Sequence, residues 1–140
     1  MNNKTIFDTI CGILGGVAGF LFGAIDGLFY ALVAFAVLDY ITGVISAVIQ
    51  KKLSSRVGFE GIFKKIMVFV VIAVANIIDV HVFAASGVLR TAAIFFFISN
   101  EGLSILENAG RMGLPIPKKL LDVLEQLRAK NNDNGGNHHE

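Results

Sequence analysis

The sequence predicts an all-α, polytopic transmembrane protein, and three observations carry that expectation. Hydrophobic residues make up 54% of the chain and charged residues 16%, against about 25% charged in soluble domains. The apolar residues fall into four stretches, about residues 9–25, 28–50, 62–82 and 89–106, near the ~20 residues that a helix needs to cross the hydrocarbon core. Asp39, Asp79 and Glu101 stand inside or at the edge of these stretches. A charge at bilayer depth costs about 2.5–3.5 kcal/mol on the gentlest scale, so such acids face a bundle interior, a partner helix or water.

Taken in order, residues 9–25 carry no charge and extend about 25 Å as a helix, just enough for a thin bilayer. Asp26-Gly27 interrupts them with a turn-favouring pair. The second stretch contains only Asp39, and Lys51, Lys52, Arg56, Lys64 and Lys65 follow it. Five basic residues between spans two and three place that connection in the cytoplasm by the positive-inside rule. With four spans, both termini are then cytoplasmic, in accord with Lys4, Arg111, Lys118, Lys119, Arg128 and Lys130. Three spans remain the alternative, with the first segment lying in the interface or tucked in as a helical hairpin. No cleavable signal is expected, since Lys4 is the only charge before Asp8 and Thr9-Ile10 do not make a lipobox before Cys11.

Residues 107–130 change character. Pro115 and Pro117 make a rigid extended linker, and Pro117 suits the start of a new helix. Leu120, Leu121, Leu124 and Leu127 then recur at helical spacing, which predicts a short cytoplasmic amphipathic helix. Residues 131–140 are polar and glycine-containing, so a disordered tail is expected, with His138 and His139 part of it and not a metal site.

Four groups of residues are candidates for function. Gly15, Gly19, Gly23 and Gly27 recur every fourth position, with Gly12 and Gly16 beside them; small residues so spaced let helix backbones approach closely, in an oligomer or within one chain. Asp39, Thr42 and Gly43 share one helix face and make a polar seam, a water-lined lumen or an ion site. Asp79 and Arg90 flank the second external turn, where they pair, with His81 as a third member, or stand as separate solvated charges. Asn100, Glu101, Ser104 and Glu107 form a polar stripe along span four, which calls for a partner helix or water.

Enzymatic chemistry is not expected: the sequence offers no nucleophile–base pairing, HExxH, Walker loop or GxGxxG after a strand. No cofactor or metal is expected either, and Cys11, the single cysteine, allows no internal disulfide. The basic connection is accounted for by topology, with no surface suited to nucleic acid.

The runs LDYITG (38–43), GIFKK (61–65), NEGLSILEN (100–108) and GLPIPKKL (113–120), with Asp79 and Arg90 between them, resemble the toxin-secretion/phage-lysis holin family over about residues 30–128. The resemblance implies a phage-encoded protein of the host cytoplasmic membrane. It would assemble with itself into lesions that let an endolysin reach the wall, or that export a toxin. A small ion channel or transporter using intramembrane acids is the competing reading.

Overall fold

The computed structural model describes residues 2–84 and 86–135. Five α-helices follow one another: α1 (Asn3–Phe22), α2 (Gly27–Ile49), α3 (Ser55–Ile77), α4 (Val88–Arg111) and α5 (Lys118–Gly135). A π-helical turn, Ile78–Val82, extends α3. Among the described residues, four helices are long and apolar enough to cross a membrane: α1, α2, α3 with its π turn, and α4. The chain is thus a polytopic helical membrane protein.

Local signals explain where the helices begin and end. Asp26 caps α2 by accepting from the Phe29 N–H at 2.9 Å, and Ser54 caps α3 through Val57 at 3.3 Å. Such caps satisfy backbone donors that the helix itself cannot. Gly23 ends α1 with φ +71°, a conformation that favours glycine. Any Cβ there would also sit 2.5 Å from the Asn76 side-chain oxygen.

The core lies between α2, α3 and α4, where Leu32, Val68, Ile72, Ile94 and Ile98 are buried together. Phe22, Phe29 and Phe69 close one end of it, with ring centroids 5.2–6.2 Å apart, the offset and edge-on spacing that aromatic quadrupoles favour. Helix α4 is the hub, touching α2, α3 and α5. Helix α1 packs on α3 and contains no buried residue.

One C-terminal expectation is filled in and one changes. The amphipathic helix α5 turns back after Gly113, whose φ is +83°, and packs on α4. Leu124 is buried there against the bare backbone of Gly102, because a leucine row needs an apolar surface and glycine leaves a hollow for it. The helix also runs to Gly135, into the stretch expected to be disordered; propagating an existing helix is far cheaper than nucleating one. His138 and His139 lie outside the described residues.

Candidate functional site: a buried ion cluster and an interhelical clasp

Three helices each supply one charge to the interior. The Lys65 ammonium of α3 lies 2.5 Å from a carboxylate oxygen of Asp39 on α2 and also pairs with Glu101 on α4. Asn108 donates to the other Asp39 oxygen at 3.3 Å and to the Thr42 hydroxyl at 3.1 Å. Thr42 in turn donates to the Asp39 carbonyl at 3.1 Å. Gly43 leaves room for Asn108, whose amide nitrogen would be 3.6 Å from a Cβ at that position. Fully ionised, two carboxylates and one ammonium carry a formal −1. A partner for each charge is what makes burial tolerable, since removing one member of such a group strands the others.

The expected Asp39–Thr42–Gly43 seam and the Glu101 stripe therefore meet each other inside one chain. Lys65 was expected among the topology charges; it turns inward instead, because its long stem spans from the helix surface to the acids. Ser104 lines the cavity beside the cluster, and Asn100 is half-buried. Glu107 leaves the seam and pairs with Arg111 at the surface, 3.9 Å away. Asn108 lay within the run that carried the family resemblance, yet was not singled out as a site residue. Its signal was its place one turn beyond Ser104 on the polar stripe.

The second constellation ties the opposite end together. Asp79 is fully buried, and its two carboxylate oxygens accept from the Leu89 and Arg90 N–H groups at 3.1 and 2.8 Å. It thus serves the exposed donors at the start of α4, where the helix dipole also favours a negative charge. The Asp79–Arg90 link runs through backbone and not through the guanidinium. That group instead donates to the Phe22 and Ala24 carbonyls and reaches Asp26 at 3.3 Å. The Asn76 amide adds a bond to the Phe20 carbonyl at 3.2 Å. The Phe29 N–H first, and then Arg90, hold the Asp26 carboxyl below the usual carboxylate range. His81 lies tilted against Phe20, with ring centroids 5.7 Å apart, and joins none of these hydrogen bonds among the described residues.

The glycines separate into two sets. Gly12, Gly15, Gly16 and Gly19 meet nothing within 4 Å, and neither does Gly27, the first residue of α2. Gly23 and Gly27 thus belong to the α1–α2 turn, not to a stripe on α1. The close helix contacts within the chain fall at Gly61, where a Cβ would lie 3.1 Å from Tyr40, and at Gly102, 3.0 Å from Leu124.

Fold and interior together define a small multi-pass membrane protein whose charged side chains bond to one another across helices. Residues 16–129 match the bacteriophage holin family, and the chain belongs to it. It is 41% identical over 112 residues to a probable holin of Bacillus phage phi105, covering 80% of this chain and 82% of that one. It is also 42% identical over 129 residues to an uncharacterized protein of Listeria innocua, covering 91% of each. A 14.9 kDa protein of Clostridium perfringens is 43% identical over 117 residues, covering 84% of this chain and 89% of the relative. No solved structure matches.

Proposed function

We propose that this chain is a lysis holin that assembles with itself in the host cytoplasmic membrane and opens lesions for an endolysin or a toxin. The observation that carries this reading is the holin-family match over residues 16–129. Lys51, Lys52, Arg56 and Lys64, together at the α2–α3 end, favour a cytoplasmic position for that end and for both termini. The catalysis of wall cleavage belongs to the endolysin, and this chain acts without chemistry of its own.

The physical route starts from a closed monomer. Asp39, Lys65, Glu101 and Asn108 satisfy one another internally, so the dilute protein presents an apolar exterior to lipid. The bare face of α1, with Gly12, Gly15, Gly16 and Gly19 open, offers close backbone contact to a second copy. At high surface density such contacts multiply, and the polar interior turns toward a growing aqueous gap.

The test is culture turbidity after induction in a bacterium holding a pre-made cytosolic endolysin. Abrupt clearing after a delay supports the reading; slow growth arrest with the endolysin retained replaces it with a small ion channel. Within that assay Gly15→Leu/Gly19→Leu is expected to delay or abolish clearing, and unchanged timing removes α1 from the assembly route. Asp39→Asn separates charge from polarity, since clearing on schedule would show that ionisation at this position is dispensable.

A further inference from the structure

A cavity of about 610 Å³ opens between α2, α3 and α4 beside the ion cluster. Its walls are about half apolar, and Lys52, Lys64 and Arg111 line it together with the acids Asp39 and Glu60. Most charges nearby are already matched. Lys65 is held by Asp39 and Glu101, Glu60 by Arg56 at 2.8 Å, and Arg111 faces Glu107. Among the described residues Lys52 and Lys64 have no ion-pair partner. The cavity therefore presents two uncommitted ammonium groups to whatever enters it.

A second hollow of about 270 Å³ adjoins the first, and Tyr40 and Lys65 belong to both. Its lining is otherwise wholly apolar, with Val33, Val37, Ile66 and Phe69 among the walls. Along α2 the order is directional. The apolar groove occupies Val33 to Tyr40, deep in the helix, and the larger cavity lies along Asp39 to Gln50, toward the basic end. An apolar groove that opens sideways into a bilayer fills with hydrocarbon, since a void forfeits dispersion contacts.

We infer that this paired hollow is a binding site for one anionic phospholipid, with the headgroup phosphodiester between Lys52 and Lys64 and an acyl chain in the α2–α3 groove. The direction matches a lipid of the leaflet next to the α2–α3 connection, head at the basic end and chain toward the bilayer centre. Basic pockets between membrane helices commonly take such headgroups. A free phosphate would use only the hollow with the lysines; the adjoining apolar groove selects the lipid. The inference needs the membrane placement of the helices and is independent of lysis.

The test uses the full chain in detergent and native mass spectrometry with phosphatidylglycerol or phosphatidylcholine of identical acyl chains. Phosphatidylglycerol is expected to be retained preferentially. Lys52→Gln/Lys64→Gln is expected to weaken its retention about 30-fold, about fivefold per lysine, whereas Lys118→Gln/Lys119→Gln, with equal charge loss on α5, leaves it unchanged. Val37→Trp, which fills the groove, weakens the lipid but not glycerol 3-phosphate. Equal retention of both lipids overturns the site, as does an equal effect of the α5 pair. Competition by glycerol 3-phosphate as strong as by the lipid reduces it to an anion site and overturns the lipid assignment. Circular dichroism confirms that each variant keeps its helices.

Discussion

Helix α1 and the helices of the α2–α4 bundle are all apolar enough to span a membrane and behave differently in the fold. Helix α1 buries no residue, whereas α4 buries Arg90, Ser99, Glu101 and Asn108 beside its apolar side chains. Lipid tails solvate leucine as well as another helix does, so apolar surface alone does not bring membrane helices together. The bundle is joined by bonds that lipid cannot offer. Among the described residues, helix α1 has such bonds only at its C-terminal end, where Phe20 and Phe22 accept from Asn76 and Arg90. It is the element placed to exchange partners, and the bundle is the element placed to persist.

The sharpest way to break that contrast is to remove the shared cation. Lys65→Met strands two carboxylates and is expected to cost about 3–5 kcal/mol, read from unfolding in mixed detergent micelles. Adding Asp39→Asn and Glu101→Gln should restore most of the loss; failure of that rescue would show that Lys65 stabilises by packing alone. Next in size is Asp79→Ala, which orphans the Leu89 and Arg90 N–H groups at a cost of about 2–3 kcal/mol. Faster hydrogen exchange at those two amides, with the ion cluster unaffected, is the expected signature.

A pair of glycine substitutions compares the two regions directly. Gly102→Ala drives a methyl group to within 3.0 Å of Leu124 and 3.1 Å of Phe35, an overpacking worth about 1–3 kcal/mol. Gly16→Ala meets nothing within 4 Å and should be neutral or slightly stabilising, as alanine is the better helix former. Equal destabilisation by both, in the same unfolding assay, would mean that α1 is packed as tightly as the bundle.

The smallest loss belongs to Asp26. The Asp26 carboxyl titrates below its ordinary value, so its contribution is complete above the ordinary carboxylate pKa and disappears as pH falls through the lowered one. With its side chain 44% exposed, solvent screening limits that contribution to a fraction of a kcal/mol. Proteolysis of the α1–α2 turn should quicken on acidification, and Asp26→Asn, which keeps the helix cap, should quicken it at neutral pH. A flat pH profile in the parent chain would detach Asp26 from the hold on α1.

Much of this was legible in order along the chain. Hydropathy marked four apolar stretches that overlap the four spanning helices, although α1 begins at Asn3 and ends at Phe22, short of residue 25, and helical spacing put Asp39 with Thr42 and Gly43, and Glu101 with Ser104. Partners distant in sequence were not legible. Nothing local distinguishes Lys65, which turns inward, from Lys64, which stays exposed, because both long side chains suit a basic helix end. The spacing of Gly15, Gly19, Gly23 and Gly27 suggested one stripe, while Gly61 and Gly102, outside that stripe, make the tight contacts.

The sequence by itself therefore determined that the chain crosses a membrane as helices and which faces of those helices are polar. Both follow from local quantities, transfer free energy and a rise of 1.5 Å per residue. Only the tertiary structure decided that Asp39 and Glu101 share one lysine, that Asp79 serves the backbone of α4, and that α5 returns to fill the hollow at Gly102. Those choices depend on which groups meet across 10 to 69 residues of chain. The cost of leaving any of them unpaired in lipid sets the choice, and no single segment contains that information.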